Sequence, residues 1–238
     1  MLLIDLGNTR GKLVMVAKGQ LLQPVYWDYD HDIAALFAKL NPSTICMASV
    51  APLPIERRLM DAAVAAGIPL KRVATEPANF GVVNGYADYH QMGIDRWLAL
   101  VAARQVTEQA CVVVDAGTAV TIDAMNEAGS HVGGWIVPGL TLMRASLMQR
   151  SEKLNVAASQ FKVGFGVTTS DAMSRGALHA VSGAVAQACS LLAKVSRVNP
   201  TVLLTGGDAE ALAPALTGNV QIIPDLVFKG LHCYAEAI

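Results

Sequence analysis

Two short segments place the same residue types in the same order. Ile4-Asp5-Leu6-Gly7-Asn8-Thr9 and Val114-Asp115-Ala116-Gly117-Thr118 each set an aspartate after an apolar run, followed by an apolar residue, a glycine and small amide or hydroxyl side chains. An aspartate at the end of a buried strand puts a carboxylate at the rim of a sheet, and the glycine two residues on lets backbone N–H groups come close to a phosphate. One such turn alone reads as an aspartate-stabilised hairpin. Two in matching contexts suit a nucleoside triphosphate with Mg²⁺, because phosphoryl transfer needs positioning and charge neutralisation more than covalent help. Gly7-Asn8-Thr9-Arg10-Gly11-Lys12 is not a P-loop: it has one residue too few between its glycines, and Leu13 replaces the Mg²⁺-binding hydroxyl. Lys12 is placed either to reach phosphate from the second strand or to be an ordinary surface lysine.

Two further glycine clusters, Gly133 to Gly139 and Thr205-Gly206-Gly207-Asp208, fall at strand ends and suit close backbone approach to a nucleotide. A third kind of segment, Gly93-Ile94-Asp95-Arg96-Trp97, puts a carboxylate where a helix is expected to start. There the positive end of the helix dipole favours a negative charge able to accept a proton. The planar guanidinium of Arg96 beside it suits a substrate carboxylate. Without further context the pair also reads as an aspartate favoured in a first helical turn beside an exposed arginine.

The elements that must position these groups follow from periodicity. Residues 1–6 read as a buried strand, Leu13 to Val16 as a second, and Gly19 as a hairpin into a third. Helical spacing over 33–40, a strand over 44–50, a helix over 55–66 and a strand over 70–74 complete an α/β run. Residues 75–92 read as a loop, long enough to be functional, and a helix starts near Ile94. From Cys111 the pattern restarts with strands over 111–115, 120–124 and toward 135–137. Helices near 140–149 and 170–195, a strand over 202–205, a helix over 210–216, a strand over 220–223 and a last helix from Leu226 follow. The repeated opening implies a duplicated lobe.

Composition restricts the function class. The 238 residues carry a formal net charge of −1, 16% charged residues and no Lys/Arg-rich run, which leaves no electrostatic footprint for nucleic acid or an anionic membrane. With 53% hydrophobic residues and a mean hydropathy of +0.41, some apolar surface is expected between sheets or subunits, hence an oligomer. No signal peptide or spanning stretch is read from the sequence, and Cys46, Cys111, Cys189 and Cys233 are scattered, so a reducing cytoplasm fits. His31, His90, His131, His179 and His232 show no ligand spacing and read as surface or loop histidines, with His90 a minor candidate for substrate contact through its closeness to Asp95.

Taken in order, Asp5 to Arg10, Ala48-Ser49-Val50-Ala51-Pro52, Gly93 to Trp97, Asp115 to Ala119, Gly133 to Gly139 and Thr205 to Asp208 resemble the type III pantothenate kinases over nearly the whole chain, the Gly-x-Asp-Arg element being the specific part. The resemblance implies an α/β fold of duplicated actin-like (ribonuclease H-like) lobes, about 1–108 and 109–238, with ATP in the cleft between them. It implies phosphorylation of pantothenate to 4′-phosphopantothenate, the first step of coenzyme A synthesis, with Asp95 as the base. Pantothenate would be bound by Tyr86, Gly93, Ile94, Asp95 and Arg96, and by Thr169 from the partner of a homodimer with a shared acceptor site. ATP would be contacted by Asp5, Leu6, Gly7, Asn8, Thr9, Arg10, Gly11, Lys12 and Thr118. Asp115 would contribute to a monovalent-cation site for K⁺ or NH₄⁺, in addition to Mg²⁺. Two departures stand out: Thr168 replaces the usual Asn, and the stretch from Gln149 to Asn155 lacks the usual Leu-Pro. Other readings of the phosphate turns are a sugar-type kinase on the same fold and a non-enzymatic actin-like nucleotide switch.

Overall fold

The computed structural model describes residues 1–149 and 159–237. Arg150 to Asn155, where the Leu-Pro departure falls, lie outside them. The chain forms two compact units: residues 1–79, 86–102 and 226–238 make one, and 80–85 with 103–225 the other.

The first unit opens with β1 (Leu2–Leu6), β2 (Gly11–Ala17), β3 (Gln20–Leu21) and β4 (Val25–Trp27), then α1 (Ile33–Leu40), β5 (Ile45–Ser49), α2 (Leu53–Ala65) and β6 (Leu70–Arg72). The strand order is β3-β2-β1-β5-β6, with β4 also on β2. β1 runs antiparallel to β2 and parallel to β5, and β5 is parallel to β6. β1 reads as an unbroken apolar run because both its faces are covered. Leu2, Ile4 and Leu6 join Phe37, Leu59 and Ala63 in a core on the α1 and α2 side. Asp32 caps α1 by accepting from the Ala34 N–H at 2.9 Å.

Two-residue strands β7 (Ala78–Asn79) and β8 (Val82–Val83) and a single 3₁₀ turn over Tyr89–Gln91 interrupt the segment expected to be loop, before α3 (Ile94–Val106). The second unit then carries β9 (Cys111–Ala116), β10 (Ala119–Met125), β11 (His131–Pro138), α4 (Leu140–Gln149), α5 (Thr169–Ser196), β12 (Thr201–Thr205), α6 (Ala209–Leu212) and β13 (Val220–Ile222). The helix expected over 210–216 stops at Leu212 and tightens into a 3₁₀ turn over Ala213–Ala215, where Pro214 cannot donate to an α-helical ladder. The strand order β11-β10-β9-β12-β13 repeats that of the first unit: an antiparallel trio, then two parallel strands.

α5 has the length and hydropathy to cross a membrane. Its buried stripe, Ala177, Leu178, Val181, Val185, Ala188 and Leu192, recurs at helical spacing and packs with Val112, Val114 and Ile122, as a core helix does. Among the histidines, His131 departs from the surface reading: its side chain is buried, with Nε2 2.9 Å from the buried Asp123 carboxylate.

The last helix, α7 (Leu226–Glu236), groups with the first unit. It buries Leu226, Phe228, Leu231 and Tyr234 and packs on β1 and β5, covering the face of β1 that α1 and α2 leave. A single cut near residue 108 therefore does not describe the packing of this helix, because a strand apolar on both faces needs a second layer.

Candidate active site

In the first unit, Asp5 is the penultimate residue of β1, opposite Lys12 on β2 and Ala48 on β5. The turn after it is closed by the Gly7 N–H donating to the Arg10 carbonyl at 3.2 Å. Gly7, Asn8, Thr9 and Arg10 stay at the surface beyond the sheet, with half-buried to exposed residues where phosphate would approach. Lys12 Nζ stands 5.3 Å from the Phe228 ring centre and the Arg10 guanidinium 4.2 Å from that of Tyr26. Tyr29, which the sequence reading did not single out, donates its hydroxyl to the Gly7 carbonyl and so pins the turn. Burial, and then the negative charge of Asp5, push its phenol up to about 12, so it remains a proton donor throughout the neutral range.

The second unit holds an equivalent turn. Asp115 is the penultimate residue of β9, opposite Thr121 and Thr205, and the Gly117 N–H donates to the Ala119 carbonyl at 3.1 Å. Both downstream glycine clusters close on it. The Gly139 N–H donates to the Thr118 carbonyl at 2.9 Å, and the Asp208 N–H to the Ala116 carbonyl at 2.9 Å. Gly206 has φ +94, and a Cβ there would collide with the Ala116 carbonyl and lie 2.5 Å from Asp115 Oδ1. This crowding is what allows bare backbone to meet the Asp115 turn. Burial raises the Asp208 carboxyl above its ordinary value.

Asp95 lies in the first turn of α3, as the sequence predicts, and its Oδ1 accepts the Arg96 N–H at 2.8 Å. A Cβ at Gly93 would stand 2.5 Å from that oxygen, so any larger residue there would have to displace the Asp95 carboxylate. Arg96 is buried to 5% exposure, not the exposed arginine of the bland reading. Its Nη1 donates to the Tyr86 hydroxyl at 2.7 Å, so Tyr86, Asp95 and Arg96 form one hydrogen-bonded group within the first unit. A cavity of about 330 Å³ in this unit has Gly93, Ile94, His90, Thr75, Arg72 and Ser49 in its wall. Its volume suits a small organic molecule.

Thr169 is the first residue of α5, and Thr168 is its N-cap, accepting the Asp171 N–H at 3.2 Å. Asp171 in turn accepts from the Ser159 hydroxyl, which holds its carboxyl below the ordinary range. Thr-x-x-Asp is a legible capping signal that the sequence reading left unused. Just ahead of it Phe165 and Val167 are 96% and 90% exposed.

Residues 1–190 match the family model for type III pantothenate kinase. The chain is 38% identical over 99% of its length to a type III pantothenate kinase of Thiobacillus denitrificans, spanning 96% of that protein. It is also 38% identical to the Chromobacterium violaceum enzyme of the same description, with 97% of each chain covered. Among solved structures, a Campylobacter jejuni protein assigned to the Baf family of transcriptional activators aligns over 100% of this chain and 98% of its own, with a TM-score of 0.64 and 24% identity. A Sinorhizobium meliloti protein described as a 2-dehydro-3-deoxygalactonokinase aligns over 99% and 98%, at 0.62 and 14%. These last two likenesses show the fold, an actin-like α/β architecture.

The closure of the Asp115 turn by Gly206 is directly testable. Gly206→Ala should destabilise the protein by about 1–3 kcal/mol through left-handed strain and overpacking. Gly207→Ala, whose Cβ would meet nothing within 4 Å, should be near neutral. Urea unfolding of the two variants decides it, and equal stabilities would remove the packing argument.

Proposed function

The chain belongs to the type III pantothenate kinase family, and we propose that it transfers the γ-phosphoryl group of ATP to the primary hydroxyl of pantothenate, giving 4′-phosphopantothenate. The observation that carries this reading is that the family match spans residues 1–190 and so contains every candidate site residue from Asp5 to Thr169.

The roles follow from the chemistry of the groups. Asp95 is proposed as the base that takes the hydroxyl proton as the oxygen attacks phosphorus, ADP leaving with the electron pair of the broken bond. Its carboxylate is oriented by the Arg96 N–H, which keeps one oxygen fixed while the other serves the substrate. Tyr86, Gly93, Ile94 and Arg96 are proposed to bind pantothenate, supported by the hydrogen bond between Arg96 and Tyr86 and by the cavity that Gly93 and Ile94 border. Asp5 to Lys12 and Thr118 are proposed to contact ATP. The glycine-lined turns fit that role, since backbone donors reach phosphate only where no side chain intervenes. Mg²⁺, when bound with ATP, offsets phosphate charge. Asp115 is proposed to hold K⁺ or NH₄⁺, for a carboxylate among backbone carbonyls such as Ala116 is a hard oxygen donor set, roomier than the octahedron Mg²⁺ demands. The active unit is proposed to be a homodimer in which Thr169 serves the partner's acceptor site, a reading supported by the exposed Phe165 and Val167 beside it. A cytoplasmic location accords with four free thiols and would be checked by cell fractionation.

Asp95→Asn keeps the shape and removes the proton affinity. Its turnover should fall by about 10²-fold or more while ATP binding and folding persist. ADP release with mass detection of 4′-phosphopantothenate measures this, and near wild-type turnover would exclude Asp95 as the base.

Activity should require K⁺ or NH₄⁺ beside Mg²⁺, with Na⁺ a poor substitute. Counter-cations are exchanged at constant ionic strength so that screening stays fixed. Equal rates in Na⁺, K⁺ and a bulky organic cation would remove the cation role of Asp115 and leave the kinase intact.

Dilution supplies the test of the shared site. Sedimentation and specific activity should fall together as the dimer dissociates, and a fully active monomer would sink the role given to Thr169.

A further inference from the structure

Backbone donors bind phosphate only when their peptide planes are turned the right way, and glycine is the residue least able to hold a plane by itself. Gly7 uses its own N–H inside the first turn, donating to the Arg10 carbonyl at 3.2 Å. The next donor along the chain is the Asn8 N–H, which makes no backbone hydrogen bond among the described residues. It shares a peptide plane with the Gly7 carbonyl. That peptide is trans, and a trans peptide points its C=O and its N–H in opposite directions. Whatever fixes the Gly7 carbonyl therefore fixes the Asn8 N–H on the opposite side.

The Tyr29 hydroxyl is placed to do this, since it donates to the Gly7 carbonyl. Tyr29 is half-buried, and its ring meets the buried Trp27 edge-on with 5.1 Å between centroids. Its backbone is held as well. Arg58 of α2 donates from Nη2 to the carbonyls of Tyr29 and His31, the latter at 3.2 Å, and its guanidinium lies 5.0 Å from the Trp27 ring centre. The Trp27 indole N–H donates to the same His31 carbonyl at 2.9 Å. The segment after β4 is thus tied to α2 on one side and to the phosphate turn on the other. Without the hydroxyl, rotation of the Gly7–Asn8 peptide would turn a carbonyl oxygen toward the phosphates, and the negative ends of the two groups would repel.

We propose that Tyr29 is a positioning residue for ATP: by gripping the Gly7 carbonyl it aims the Asn8 N–H at a phosphate oxygen, with Arg58 bracing the segment that carries it. The inference rests on the reading of Asp5 to Lys12 as the ATP-contacting turn. It gives that turn a support from 22 residues further along the chain, acting through the backbone.

The test is Tyr29→Phe in the intact enzyme, which removes one hydroxyl and keeps the ring against Trp27. KM and Kd for ATP should rise by about 3–10-fold, the worth of one hydrogen bond, while KM for pantothenate stays within about twofold. Arg58→Ala should move the ATP constants in the same direction by less, and combined with Tyr29→Phe it should add nothing further. Orientation is read from the amide resonance of Asn8 in protein carrying isotopically labelled asparagine. Saturating ATP should shift that resonance in the wild type and shift it less in Tyr29→Phe. Melting temperatures separate aiming from loosening, because a merely structural hydroxyl would lower the melting temperature and leave the ATP constants of the folded protein unchanged. Unchanged ATP affinity in the folded variant, an equal rise in both KM values, or an Asn8 amide indifferent to bound ATP in the wild type overturns the Tyr29 assignment alone. A wild-type protein that binds no ATP would instead overturn the kinase reading, and this inference with it.

Discussion

The structure depends on one constraint: the central strand of each sheet must be apolar on both faces until the cover ends, and the first polar residue there is an aspartate. In β1 the residues Leu2, Leu3 and Ile4 are fully buried, and Asp5 is the first with partial exposure. In β9 the same holds for Cys111 to Val114 and then Asp115. A carboxylate one residue earlier would sit between a sheet and a helix layer without solvent, at a cost of several kcal/mol on the order typical of buried unpaired charges. The position of each aspartate is therefore set by where the layers stop. The glycine turns follow from this, since the chain must reverse at once to form the antiparallel neighbour.

The two units meet that constraint with the same strand order and different covers. In the second unit α5, 28 residues long, supplies its side of the core from one continuous stripe. In the first, α1 and α2 supply one layer and α7, from the far end of the chain, supplies the other. Trp97 on α3 ties to that helix through its indole N–H, which donates to the Tyr234 hydroxyl at 2.8 Å. Burial pushes the Tyr234 phenol up to about 12, so it stays protonated and able to accept this bond through the neutral range. The residue that follows Asp95 and Arg96 in the sequence is thus an anchor, and the first turn of α3 is held from behind by packing.

Much of this was legible. Helix α1 was read over its observed residues, and the restart of the pattern at Cys111 gave the duplicated strand order, because periodicity and turn chemistry are local. The candidate phosphate turns and the Asp95 helix start were legible for the same reason. What escaped acts at a distance or on short strands. Tyr29 reaches the Gly7 carbonyl across 22 residues, and no spacing announces such a bond. β4, three residues long after Pro24, has too little alternation to register. Arg72 and Glu56, 16 residues apart, become a pair only when β6 and α2 pack. His131 looked like a surface residue because its partner Asp123 lies on the neighbouring strand.

The Gly-x-Asp-Arg element has a physical unity that its letters do not show. Gly93 is bare because the Asp95 carboxylate folds back beside it. The carboxylate folds back because it accepts the Arg96 N–H, one of the donors at the start of α3 that have no carbonyl partner within the helix. The Arg96 side chain then turns inward, where burial would be costly for an unpartnered cation, and its hydrogen bond to the Tyr86 hydroxyl helps offset that cost. Tyr86 and Asp95 are consequently held by one arginine. Replacing that arginine with a lysine would keep the charge and the backbone N–H to Asp95 but lose the planar guanidinium whose Nη1 reaches the Tyr86 phenol.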